Sequence, residues 1–203
     1  MQTETYTLMD VFTRSELMSR YAIIILGANG TTGYGKSVTA TALACHYATA
    51  YAESHGLPRD SAKVVITNTL DAARDIKWQP GHVWLIDEFL PADKESNVYC
   101  TESGLKKLFD PSVPVSMRAR ANDLCICEGV PRIITANAGS LEEWLGPGIE
   151  CSAPLRRKSI VFVVSSPLVS KSWVDGLKDA AATNVSASGI SDVMRARMAS
   201  ALS

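Results

Sequence analysis

Residues 30–37 read Gly-Thr-Thr-Gly-Tyr-Gly-Lys-Ser, separated by two residues from the apolar run Tyr-Ala-Ile-Ile-Ile-Leu-Gly at 21–27. The spacing is G-x-x-x-x-G-K-[S/T], and the context is right for it: an apolar strand before, an alanine-rich helical run after. Gly30, Gly33 and Gly35 admit backbone angles closed to other residues. The amides of Thr31, Thr32 and Tyr34 can then turn inward with theirs and meet phosphate oxygens, reinforced by the N-terminus of the helix that follows. Lys36 would reach the β- and γ-phosphates and Ser37 would hold Mg²⁺. The chemistry expected here is binding of a nucleoside triphosphate, with ATP and Mg²⁺ as cofactors.

Two further polar positions fit the same chemistry. His-Val-Trp-Leu-Ile-Asp-Glu-Phe at 82–89 delivers Asp87 and Glu88 at the carboxyl end of an apolar strand, where ligands bind in open α/β sheets. Asp87 would support the metal, usually through a coordinated water, and Glu88 would orient and deprotonate an attacking water. Asn137 follows the strand Arg-Ile-Ile-Thr-Ala, where its amide can bond the γ-phosphate or the lytic water. Taken singly, the acids read equally well as solvated strand-end charges and the asparagine as a turn residue. The order of phosphate loop, acidic strand end and polar strand end is what joins them into one site.

The elements that must carry these residues can be read from periodicity. Residues 6–20 repeat apolar positions at helical spacing, an N-terminal helix. Apolar strands are expected at 21–27, 63–67, 82–87, 132–136 and 158–164, with short helices at 105–109 and 140–145 and a hairpin across 113–128. Strands alternating with helices predict a three-layer α/β domain with a central, mostly parallel five-stranded sheet. The expected division is an N-terminal helix at 1–20, a core at 21–165, and a tail at 166–203 with a Ser/Ala-rich linker near 180–189 and a final amphipathic helix.

Composition narrows the function classes. A chain of 203 residues with net charge −1 has no global basic field, so nucleic-acid contact needs a local patch of Lys and Arg. The five cysteines are odd in number and form no C-x-x-C pair, which signals neither a zinc site nor a disulfide framework. Cys125 and Cys127 are expected in the core. No apolar run approaches the length of a membrane span, and the first residues lack the features of a secretory signal. The expectation is a soluble intracellular protein without a membrane partner.

With these residues in hand, the chain resembles a superfamily 3 helicase core, an AAA-type P-loop ATPase. The closest likeness is to the helicase domains of replication-associated proteins from small circular single-stranded DNA viruses, with related domains in the helicases of positive-strand RNA viruses. The resemblance spans about residues 20–165. Gly-Thr-Thr-Gly-Tyr-Gly-Lys-Ser resembles the Walker A motif and Leu-Ile-Asp-Glu-Phe the Walker B motif. Ile-Ile-Thr-Ala-Asn resembles motif C, usually T-S-N, with Ala136 as a departure. Ala-Pro-Leu-Arg-Arg-Lys-Ser-Ile-Val-Phe resembles the paired arginines before the last strand.

The resemblance implies a ring-shaped homo-oligomer, commonly a hexamer, in which Arg156 or Arg157 reaches a neighbouring subunit's site as an arginine finger. A solvated basic run is the plainer account of those residues. The resemblance also implies a hairpin contacting single-stranded nucleic acid, DNA in preference to RNA. Arg118 and Arg120 occupy that place and would track the phosphate backbone without reading sequence; Lys106 and Lys107 could extend the patch. For a viral replication protein the location implied is the host nucleus. The segment after Phe89 is long for this family. No H-x-H nicking domain precedes residue 20, so the chain is expected not to initiate rolling-circle replication by itself. It would be a fragment, a degenerate copy or a separate helicase subunit. An AAA-type loader or initiator that uses ATP binding to assemble a complex without unwinding shares all these motifs, and a small-molecule kinase shares the first.

Overall fold

The computed structural model describes residues 6–28, 33–58, 61–91, 101–117, 123–146 and 153–168. In chain order the elements are α1 (Leu8–Thr13), α2 (Glu16–Arg20), β1 (Ala22–Gly27), α3 (Lys36–Ser54), β2 (Lys63–Thr67), β3 (His82–Ile86), α4 (Glu102–Leu108), β4 (Val115–Met117), β5 (Leu124–Ile126), β6 (Arg132–Asn137), α5 (Leu141–Leu145), α6 (Ala153–Lys158) and β7 (Ser159–Val164). The main sheet has five strands in the order β2-β3-β6-β1-β7, and every pairing in it is parallel. "Mostly parallel" was thus too cautious; the antiparallel pairing is confined to the separate β4–β5 hairpin.

A parallel sheet covered on both faces needs strands that are apolar at every position, and β1 supplies one. Ile23, Ile24, Ile25 and Leu26 are fully buried, each worth about 1.5–3 kcal/mol relative to exposure. Their side chains alternate between two cores. Ile23 and Ile25 join Val83, Leu85 and Ile133 against α1, α2 and α3, where Ala40, Leu43, Ala44 and Ala48 let the long helix lie close to the sheet. Ile24 and Leu26 join Trp84, Ile86 and Ile134 on the other face, covered by Leu105 and Leu108 of α4, the β4–β5 hairpin, and Leu141 and Trp144 of α5.

Two local expectations are corrected. The single helix over 6–20 is two. Thr7 and Asp10 open α1 with reciprocal caps, Thr7 Oγ1 accepting from the Asp10 amide at 3.1 Å and Asp10 Oδ2 from the Thr7 amide at 2.6 Å. Arg14 then leaves helical geometry (φ −118°, ψ 72°) and α2 starts afresh after Ser15. The break turns Leu17 and Met18 down onto the same core as Val11. Secondly, Ala153–Lys158, read only as a basic stretch before the last strand, is a helix that runs straight into β7.

Residues 169–203, including the expected linker and final helix, lie outside the described residues, as do 92–100 of the long segment after Phe89. Among the described residues no helix is long and apolar enough to cross a membrane.

Candidate functional site at the carboxyl ends of the strands

β1 ends at Gly27, in register with Asn137 at the end of β6, and β3 ends one residue before Asp87. The sequence-predicted polar residues therefore converge on one edge of the sheet, the carboxyl edge, although they are scattered over a hundred residues of chain.

The loop that follows β1 returns to helical geometry through two glycines, Gly33 at φ +85° and Gly35 at φ +87°. Both are left-handed conformations that an L side chain adopts only at a cost. At Gly33 a Cβ would meet nothing within 4 Å, so the requirement there is conformational and not steric. Gly35 is the N-cap of α3, which puts Lys36 and Ser37 in its first turn, where helix amides have no partner within the helix. Lys36 is only 8% exposed. Behind the loop, the Leu168 amide donates to the Tyr34 carbonyl at 2.9 Å, so the chain leaving β7 is tied to the loop. Gly30, Thr31 and Thr32 lie outside the described residues.

The acid pair sits on a turn whose three successive amides each have a partner. The Asp87 amide donates to the Thr67 carbonyl of β2 at 2.7 Å, and the Phe89 amide to the Thr135 carbonyl of β6 at 2.9 Å. Between them the Glu88 amide donates to Thr135 Oγ1 at 3.0 Å. Trp144 Nε1 donates to the Phe89 carbonyl at 2.6 Å. Glu88 is held at φ +53°, the left-handed region, and its side chain is exposed. It is the one residue other than glycine with positive φ among those described, and strain of this kind gathers at functional sites.

Loop and turn meet directly: Ser37 Oγ donates to Asp87 Oδ1 at 2.7 Å. The same carboxylate oxygen accepts from Thr135 Oγ1 at 2.5 Å. A hydroxyl and a carboxylate this close offer hard oxygen ligands of the kind a small divalent cation takes when phosphates and waters complete its shell. Among the described residues no group of three or more His, Cys, Asp or Glu could form an all-protein cage. Asn137 is exposed at the rim, next to Gly27, and the chain beyond it is set by the Gly139 amide donating to Glu143 Oε2 at 2.6 Å.

The remaining sequence-predicted residues lie elsewhere. Arg156 and Arg157 are both exposed on α6. Arg156 pairs with Glu142 of α5, whereas Arg157 has no charged partner among the described residues. Lys158 pairs with Asp110 at 2.9 Å, so only part of this run is free solvated charge. Arg118 and Arg120 fall between β4 and β5 in sequence and lie outside the described residues. Cys125 is corrected: the two-residue period buries Leu124 and Ile126 and leaves Cys125 exposed, while Cys127 is half-buried against the core.

Sequence reasoning passed over Thr135 and Trp144. A threonine within Ile-Ile-Thr-Ala reads as an ordinary strand former. Its hydroxyl gains meaning only from the β3–β6 pairing, which no local pattern encodes.

Neither the protein-family models nor the curated proteins compared with this chain give a match, so the site is interpreted from its own residues.

Proposed function

We propose that the chain is an ATP-dependent nucleic-acid helicase or translocase motor of superfamily 3 type, with an AAA-type P-loop core that works as a ring. The observation that carries this reading is the 2.7 Å bond from Ser37 Oγ to Asp87 Oδ1. It joins a phosphate-loop helix to an acid at the end of β3, the strand on the far side of β6 from β1, the arrangement a nucleoside triphosphate with its metal requires.

In this reading the amides from Gly30 to Gly35 and the N-terminus of α3 bind the phosphates, and Lys36 neutralises the β- and γ-oxygens. Ser37 and Asp87 are the residues that would hold Mg²⁺, which when bound withdraws charge from the phosphate oxygens. Glu88 orients a water and takes its proton; Asn137 contacts the γ-phosphate or that water. Arg157, uncommitted among the described residues, is the better candidate than Arg156 to enter a neighbour's site, since Arg156 is engaged by Glu142. Arg118 and Arg120, between β4 and β5 in sequence, would contact the backbone of single-stranded DNA.

The test is the steady-state ATPase rate over a range of protein concentrations, with and without single-stranded DNA, beside Lys36→Ala. A rate per subunit that rises with concentration and again with DNA supports a ring motor. ATP binding without turnover under every condition favours the loader or initiator switch instead. Turnover undiminished in Lys36→Ala would remove the phosphate-loop assignment.

A further inference from the structure

Thr135, the threonine of the Thr-Ala-Asn stretch, lies in the middle of this arrangement, and its hydroxyl has no role in the function proposed above. It is 1% exposed. A threonine hydroxyl has one proton to give and two lone pairs. Here the proton goes to Asp87 Oδ1 at 2.5 Å, and a lone pair accepts the Glu88 amide at 3.0 Å. The Thr135 carbonyl takes the Phe89 amide at 2.9 Å. One residue of β6 thus grips three successive residues of the turn beyond β3.

The two hydroxyls that reach Asp87, from Ser37 and Thr135, both donate to Oδ1. No protein group bonds Oδ2 among the described residues. The carboxylate is therefore fixed in rotation by one oxygen, with the other left for a ligand. The left-handed conformation of Glu88 is held from the same side: its amide is tied to the Thr135 hydroxyl, and the peptides before and after it are tied to Thr67 and Thr135. A conformation that costs free energy persists only where its surroundings over-determine it.

We propose that Thr135 is a positioning residue for the candidate nucleotide site: its hydroxyl sets the Asp87 carboxylate toward the metal and holds Glu88 in its left-handed turn. Asn137, two residues on along β6, shares the strand, so the hydroxyl ties the acid pair to the same strand as the residue proposed to sense the γ-phosphate. The inference rests on the proposed nucleotide-site reading.

The test compares Thr135→Val, which keeps the shape and loses the hydroxyl, with Thr135→Ser, which keeps the hydroxyl. Binding of a fluorescent ATP analogue is followed in EDTA and across a Mg²⁺ titration, together with kcat, KM and the melting temperature. Groups that orient a metal ligand alter metal affinity or activity by about 10–100-fold when removed. Thr135→Val is therefore expected to raise the Mg²⁺ concentration at half-maximal binding by about tenfold and to lower kcat by a similar factor. Binding in EDTA should stay at the wild-type level, and Thr135→Ser should restore both quantities.

A folded Thr135→Val whose Mg²⁺ midpoint and kcat match wild type overturns the proposal, and so does a change confined to melting temperature. Should the valine variant not fold, Thr135→Cys, a poor hydrogen-bonding replacement of serine's shape, is set against Thr135→Ser with the same readings. A wild-type chain that binds no nucleotide with or without Mg²⁺ overturns the site reading and this inference with it. Mg²⁺-dependent binding in the wild type that Thr135→Val leaves unchanged overturns only the inference.

Discussion

The indole of Trp144 donates to the Phe89 carbonyl across 2.6 Å, so a side chain of α5 holds the peptide just beyond Asp87 and Glu88. The two rings meet edge to face with centroids 6.1 Å apart, and Phe109 lies 5.6 Å from the same indole. Trp144 is 3% exposed. The aromatic packing under the site and the hydrogen bonding of the acid turn are one structure, and each depends on the other.

Trp144→Phe tests that dependence. The ring stack is largely kept, but the Phe89 carbonyl loses its donor inside the protein, which costs about 1–3 kcal/mol. For a chain of this size each kcal/mol lowers the melting temperature by roughly 2–4 °C. Calorimetry on Trp144→Phe should show such a fall, with turnover reduced as the turn loosens. An unchanged melting temperature would mean the bond contributes nothing net.

Much of this was legible in the sequence. The three inner strands β1, β3 and β6 fall where apolar runs meet Gly27, Asp87 and Asn137, because a strand buried on both faces has no polar positions to hide it, and the edge strands β2 and β7 still show as short β-branched runs. The loop and the acid pair were legible for the same reason: each is a polar interruption at a strand end. The break at Arg14 was not, since apolar residues on either side keep helical spacing and the change comes from backbone geometry at one residue. Nor was α6, whose Arg-Arg-Lys run carries too few apolar residues to show a period. Cys125 was misplaced because a three-residue strand gives too short a pattern to fix which alternate side faces in. Thr135 was invisible for a deeper reason. Its partners are 47 and 48 residues away in sequence, and only the pairing of β6 beside β3 brings them to it.

His82 makes stability depend on pH in a defined window. Burial, reinforced by Lys63, lowers its pKa from the ordinary 6.5, and its Nδ1 has no hydrogen-bond partner among the described residues. The unfolded chain therefore takes up a proton at a higher pH than the folded chain does. Stability is fully present above about pH 6.5 and falls as pH drops through that value toward the folded pKa. Asp110 acts in a lower window. Burial opposes its ionisation, but Ser112 and Lys158 outweigh that and lower its pKa from 3.8, so its contribution is lost only in stronger acid. Urea midpoints at pH 7.5, 6 and 5 should fall in the wild type and fall less in His82→Gln, whose side chain does not titrate. Equal slopes in the two proteins would exclude His82 as the cause.

Arg132 is a charge with little to recommend it energetically. It is fully buried, and among the described residues its guanidinium has one partner, the Lys107 carbonyl at 3.4 Å from Nη1, with none for Nε and Nη2. Burial pushes its pKa down to about 10 against the attraction of Asp110. Replacing a poorly satisfied buried ion with an apolar side chain of similar volume is often neutral or stabilising by ~1–4 kcal/mol. Arg132→Met should therefore unfold at an equal or higher urea concentration than wild type. Asp110→Ala, which strips the countercharge from Arg132 and Lys158, should unfold at a lower urea concentration than wild type. The opposite order would show that the guanidinium holds α4 to the sheet more strongly than its bonds indicate.

The last prediction separates a site completed by a neighbour from one complete in a single chain. Glu142 engages Arg156 within the chain, and Arg157 beside it has no charged partner among the described residues. If Arg157 enters the next subunit's site, Arg157→Ala should lower kcat by about 10³-fold, the loss expected for an arginine finger. Arg156→Ala should do far less, since it removes only a solvent-exposed ion pair with Glu142. Lys36→Ala should be inactive because its own loop fails, while its Arg157 stays intact. Mixing the two inactive variants then creates interfaces in which a sound loop faces a sound arginine. ATPase activity that returns on mixing, in proportion to the share of such interfaces, requires the two residues to act from different chains. Mixtures that form oligomers and remain inactive would place Arg157 outside the site and leave its charge to the solvent.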